Sequence, residues 1–151
     1  MTEEKKLVAL KWCLRVWGVL AFLIFIPLFV GFAVQAPILD EGGALNWSIW
    51  NGVTCGEQQC HVPPMLFVIY ITWGAFALLA ARKPHQYLSF LDFTMWANLA
   101  HALLMAAQAI SMPALYWSKF LTDIPYIGLI ALAIFLFRPA PATAGSQVQY
   151  S

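Results

Sequence analysis

Apolar residues fall along this chain in four long blocks separated by short polar interruptions. The first, "LRVWGVLAFLIFIPLFVGFAV" at 14–34, carries one charge, at its start. A helix rising about 1.5 Å per residue needs about 20 residues to cross about 30 Å of hydrocarbon, so this block predicts a transmembrane helix. "PMLFVIYITWGAFALLAA" at 64–81 predicts a second, with Pro63 and Pro64 suited to its start. A third is expected over 89–110. The last apolar run, "IPYIGLIALAIFLF", has only 14 residues, so its helix is expected to begin upstream near Trp117 and cover 118–137, with Pro125 in the first turns or at a kink. The pattern therefore predicts an all-α, four-transmembrane-helix bundle over residues 1–139. A tail at 140–151 has the composition of a linker.

Composition agrees with the pattern. The 151 residues are 62% hydrophobic and 10% charged, against about 45–50% and about 25% in soluble domains. Mean hydropathy is +0.73. The expected surroundings are a lipid bilayer. A net charge of +1 with no basic stripe among aromatics gives no reason to expect a nucleic-acid partner. The start, "MTEEKK", is charged in both signs, and the apolar run behind it exceeds the 7–15 residues of a secretory signal. An uncleaved first helix is the expectation.

Charge also predicts orientation. Lys5, Lys6, Lys11, Arg15, Arg82, Lys83 and Arg138 fall on one side of a four-span topology and only Lys119 on the other. The positive-inside bias then puts both termini in the cytoplasm and makes 36–63 a long external loop between helices 1 and 2. The implied location is a bacterial inner membrane with that loop in the periplasm. Arg15 can snorkel to the headgroups at the inner end of the first helix.

Within the loop, "CGEQQCH" (55–61) brings Cys55, Cys60 and His61 together. In an oxidising compartment the first reading is a Cys55–Cys60 disulfide. Covalent haem is the alternative, with thioethers to both cysteines and His61 on the iron, as in a widened C-x-x-C-H signature. Met65 would sit on the wrong haem face to be the second axial ligand. Zinc could take Cys55, Cys60 and His61 but lacks an evident fourth ligand, so the metal question stays open.

The third helix carries the other constellation. Thr94, Asn98, His101, Met105, Gln108 and Met112 recur at spacings of 4, 3, 4, 3 and 4, which is one helix face. Polar groups are costly in hydrocarbon, so this face should point into the bundle or at a partner. The plainest reading is a hydrogen-bonding seam of Thr94, Asn98, His101 and Gln108 between helices. Haem or a chlorophyll-type pigment held by His101, with Met105 beside it, is a second reading, and a proton or substrate path is a third. Ser89-x-x-Asp92 has the form of a capping box, with Arg82, Lys83 and His85 near enough to pair with Asp92. Asp123 can cap the fourth helix ahead of Pro125.

These residues also carry a resemblance. Met65, Tyr70, Gly74, Phe76, Ala81, Arg82, Pro84, Phe93, Trp96, His101, Met105 and Gln108, then Leu121, Asp123 and Pro125, are similar to the pattern of a family of small four-helix bacterial membrane proteins classed as a domain of unknown function. The likeness spans 64–139 and is loose over the first helix. It implies four spans and draws His101, Met105, Gln108 and Asp123 together. That family usually has a histidine where Gln86 or its neighbour stands, and His85 is the shifted equivalent. "CGEQQCH" lies outside the pattern.

With no phosphate-binding glycine loop, Ser-His-Asp set or paired catalytic carboxylates, the leading expectation is a non-enzymatic accessory subunit of a larger respiratory or photosynthetic membrane complex, with no cofactor and with other membrane subunits as partners. The alternatives are a redox or pigment-binding protein using Cys55, Cys60 and His61 or His101, and a small transporter or intramembrane enzyme.

Overall fold

The computed structural model describes residues 1–39, 43–45 and 62–140. Four long helices cover most of them: α1 (Glu3–Ala33), α2 (Val62–Arg82), α3 (Leu88–Ser111) and α4 (Asp123–Phe137). Among the described residues four segments are long and apolar enough to cross a membrane: Glu3–Ala33, Pro64–Arg82, Leu88–Ser111 and Trp117–Phe137. The expected four-helix, all-α architecture is the one observed.

α1 starts well before the expected 14. Thr2 sits at the N-cap, its Oγ1 accepting from the Lys5 backbone N–H at 3.4 Å. Glu3 and Glu4 occupy the first turn, where the helix dipole favours carboxylates. Lys6 Nζ lies 2.8 Å from Glu3 Oε1. Local capping, not hydropathy, sets this end, and the extra turns bury Leu10. At the other end Gln35 takes a positive φ of 53° and the Ala36 N–H reaches the Gly31 carbonyl at 2.9 Å, which turns the chain out of the helix.

α2 and α3 are joined by Lys83 and a 3-10 turn at Pro84–Gln86. Tyr87 stands at the N-cap of α3 and makes no side-chain cap. The expected capping box of Ser89 and Asp92 is therefore corrected. Ser89 lies inside the helix, and the Asp92 carboxylate is held by Arg138, at 2.6 Å between Nη2 and Oδ2 and by a second bond from Nε to Oδ1. Neither Arg82, Lys83 nor His85 is its partner in an ion pair. A bidentate guanidinium outcompetes backbone donors that the helix start can leave to water.

Between α3 and α4 the chain makes one helical turn, Pro113–Tyr116, and a 3-10 turn, Trp117–Phe120. The span expected over 118–137 corresponds to Trp117–Phe137, with an interruption just before Asp123 that leaves Pro125 in the first turn of α4. Pro125 accounts for the break: its ring clashes with the carbonyl four residues back, at Leu121, and it offers no N–H to that carbonyl, which favours ending one helical segment and starting another there. Thr122 is the N-cap residue, but its hydroxyl donates backwards to the Ser118 carbonyl at 3.0 Å. Asp123 is consequently the first helical residue and not a cap.

α1 packs along α2 and also against α4, and α4 packs against α3. The α1–α2 crossing is built on small residues. A Cβ at Gly74 would lie 2.7 Å from Ala21 Cβ and 3.1 Å from the Gly18 carbonyl oxygen, and one at Gly18 would lie 2.8 Å from the Gly74 carbonyl oxygen. Close backbone approach is how helices associate where no hydrophobic effect drives them together. α2 and α3 meet through larger groups, including the stacked Trp73–Phe93 rings at 5.5 Å. At the end of the bundle bearing Lys5, Lys6, Lys11, Arg82, Lys83 and Arg138, a core of Leu10, Leu14, Ala77, Ala80, Leu91, Ile130 and Ile134 fills the interior. The outward faces show Leu23, Phe93, Leu103, Leu129 and Phe135 largely exposed, as side chains meeting lipid would be.

Candidate functional site

Towards the opposite end the packing loosens. Met105 and Ile127 lie buried there with Ala102, beside partly buried Tyr70, Ile124 and Tyr126. Next to them is a cavity of about 440 Å³ walled by all four helices. α1 contributes Ile24, Phe25, Pro27 and Leu28, α2 contributes Leu66, Phe67 and Tyr70, α3 contributes His101 and Met105, and the start of α4 contributes Asp123, Tyr126 and Ile127. The volume is within the roughly 300–1,000 Å³ of small-molecule sites.

Helix geometry explains why these side chains meet. His101 and Met105 are four residues apart on α3 and share a face. Tyr70 projects from the first half of α2, whose direction opposes α3, so its hydroxyl reaches His101 Nδ1 at 3.0 Å. Phe25 of α1 stacks on the Tyr70 ring at 4.6 Å and meets the edge of Tyr126 at 5.8 Å. Tyr126 in turn stacks on Trp17 at 5.3 Å, and the Trp17 indole donates to the Tyr126 carbonyl at 3.2 Å. The aromatic walls are thereby held in fixed orientations.

Charge enters at the start of α4. Asp123 Oδ2 accepts from Lys119 Nζ at 3.3 Å, and the lysine side chain is only 6% exposed. Lys119 also lies over the Tyr116 ring at 5.5 Å. Asp123 is within electrostatic range of His101. The lone cation predicted for this end of the bundle is thus buried against a carboxylate, and the two charges offset each other.

The predicted polar stripe divides into two kinds. Thr94 is buried and accepts from the Trp73 indole at 2.9 Å, and His101 meets Tyr70, so both join α3 to α2. Asn98 is equally buried but donates to the Thr94 carbonyl of its own helix at 2.8 Å, and its Oδ1 is left without a partner. Gln108 is half-buried and Met112 exposed. Of the residues expected to act together, His101, Met105 and Asp123 do line one cavity. Cys55, Cys60 and His61, with the disulfide, haem and zinc readings placed on them, lie outside the described residues. Among the described residues no group of three or more His, Cys, Asp or Glu side chains is placed to hold a metal ion.

Reading the stripe on α3 alone misses Tyr70, Phe25 and Tyr126. Tyr70 did leave a signal: a tyrosine in mid-span needs a partner for its hydroxyl, and His101 is the nearest ionisable group at that depth.

A family model described as a family of unknown function (DUF6632) matches residues 7–147. No curated protein and no solved structure matches the chain.

Proposed function

The chain belongs to DUF6632, a family of unknown function, and from its own geometry we propose an integral membrane protein that binds a lipophilic small molecule inside the bundle. One observation carries the reading: polar side chains from three helices, Tyr70, His101 and Asp123, converge on a largely apolar cavity of about 440 Å³. A bundle selected only for packing would fill such a space, because each lost contact costs stability. Here bulky rings are instead braced around it, and the polar groups supply orientation.

The proposed setting is a bacterial inner membrane, with both termini in the cytoplasm and the 36–63 loop in the periplasm. Its support is the gathering of seven of eight cations at one end of the helices. The cavity then lies in the periplasmic half.

Photolabelling tests the reading. The full chain in lipid nanodiscs is irradiated with a diazirine-bearing alkyl probe and digested. Adducts concentrated on Tyr70, His101, Met105 or Ile127 are expected. Labelling confined to outward residues such as Leu103 and Phe135 would contradict it.

A second reading is an accessory subunit of a larger membrane complex. It is supported by the length of exposed apolar surface on α1, where Val16, Val19, Leu23, Ile26 and Val30 face outwards, available to lipid or to a neighbouring subunit. Repeated purification of the chain alone, after mild extraction from its native membrane, would count against it. A haem or chlorophyll-type pigment on His101 would show as a visible absorption band in the same preparation.

A further inference from the structure

The hydrogen-bonding pattern around the cavity narrows the chemistry of its occupant. We propose that it takes a neutral, ring-bearing lipid with oxygen atoms on the ring, of the quinone and quinol class, an assignment that rests on the ligand-binding reading above.

Neutrality comes first. The carboxylate bordering the cavity, Asp123, already faces Lys119 at 3.3 Å, and the lysine is almost wholly buried. A cationic ligand at Asp123 would compete with the ammonium already bound there, and an anionic one would face the carboxylate. With the pair balanced, an uncharged ligand avoids both desolvation penalties. Aromaticity follows from the walls. Phe25, Phe67, Tyr70 and Tyr126 border one space, and Phe25–Tyr70 and Trp17–Tyr126 stacking fixes their planes. Flat rings gain from offset or edge contacts with such walls, beyond what area alone gives an alkyl chain.

The oxygen atoms are required by what remains of the polar groups. His101 has Nδ1 occupied by Tyr70, and among the described residues its Nε2 has no partner. If Tyr70 donates, the neutral imidazole carries its proton on Nε2 and offers it to a ring carbonyl. If His101 donates from Nδ1, Nε2 becomes an acceptor and suits a phenolic hydroxyl. The same site therefore serves both redox forms of one ring by a tautomer change. Asp123 Oδ1, the oxygen not engaged by Lys119, is an acceptor for a hydroxyl. Aliphatic Ile24, Leu28, Leu66 and Ile127 complete the lining and suit an isoprenoid or alkyl tail.

Tryptophan fluorescence provides the test, since Trp17 stacks on the cavity's Tyr126 and quinones quench indole emission. The full chain in nanodiscs is titrated with decylubiquinone. Decylbenzene, which has the ring and tail but no ring oxygens, and decylamine, a cationic amphiphile, are then used as competitors. Saturable quenching is expected, with decylbenzene displacing decylubiquinone only at about tenfold higher concentration, the loss that follows when a ligand cannot make one buried hydrogen bond. His101→Leu should weaken decylubiquinone about tenfold and leave decylbenzene unchanged. Equal potency of decylbenzene, or tighter binding of decylamine, would overturn the quinone assignment while the lipophilic cavity stands. Absence of saturable binding by all three would remove both readings. Because the comparison between ligands is made on the unaltered chain, it does not depend on the variant folding.

Discussion

Removing a single oxygen, in Tyr70→Phe, leaves His101 Nδ1 without the hydroxyl that meets it at 3.0 Å. The expected cost is about 1 kcal/mol, the typical net value of one buried hydrogen bond. In a chain of this length that lowers the melting temperature by about 2–4 °C, measurable by circular dichroism in detergent. An unchanged melting temperature would mean that the bond is not formed in the folded protein. Asp92 and Arg138 supply a second residue-scale prediction. Their side chains are 40% and 26% exposed, so the bidentate pair is worth about 1 kcal/mol after solvent screening. Asp92→Asn and Arg138→Gln should each lose about that much, and the double variant no more than either alone. Additive losses would show that the two side chains act separately. At this scale the sequence was legible where chemistry is rare. His101 stood out as an ionisable group in mid-span, and Met105 and Asp123 were drawn in beside it. The partners were not legible, because Arg138 lies 46 residues from Asp92 and Tyr70 lies 31 from His101. Local rules favoured a capping box for Asp92, and only the packed bundle brings the guanidinium within reach.

Helices can be read from hydropathy more safely than their ends can. The four apolar blocks correspond to the four spanning segments, and α2 and α3 begin and end within about two residues of expectation. Two ends departed for identifiable reasons. α1 runs back to Glu3 because Thr2 caps it and a Lys6–Glu3 pair supports its first turn, whereas hydropathy marks only where lipid begins. The fourth span splits before Asp123, where Pro125 removes one backbone hydrogen bond and crowds the Leu121 carbonyl. Gly18 and Gly74 make a further element-scale claim, since their backbones touch where α1 crosses α2. Gly74→Val should destabilise the bundle by at least about 1–3 kcal/mol, the usual cost of forcing extra atoms into a packed contact. Gly128 is the control: nothing lies within 4 Å of a Cβ placed there, so Gly128→Ala should be neutral or gain up to about 1 kcal/mol of helix stability. Thermal unfolding of the two variants side by side distinguishes them, and a tolerated Gly74→Val would contradict the close crossing.

Taken whole, the molecule is a bundle with unlike ends. One end is packed solid with small and aliphatic side chains and clamped by Asp92 and Arg138. The other is propped open by braced aromatic rings around a cavity that all four helices share. The sequence foretold a four-span frame and an interior polar face. It did not foretell the cavity, because empty space is a property of how Phe25, Tyr70, His101 and Tyr126 meet across helices, and no spacing along one helix reports it. The proposed orientation has its own check: a green fluorescent protein fused to the C-terminus should fluoresce in a bacterial host, and a dark fusion that is nevertheless inserted would place that end outside. The cavity is the central claim, and filling it is the most direct test. N-phenyl-1-naphthylamine, a neutral dye that brightens in apolar sites, is titrated against the full chain in nanodiscs. Leu28→Trp, which places a large ring in the cavity wall, should abolish saturable binding, while Leu103→Trp on the outward face should leave it unchanged. Equal binding by the wild type and Leu28→Trp would show that the dye sits elsewhere and that the cavity is not a ligand site.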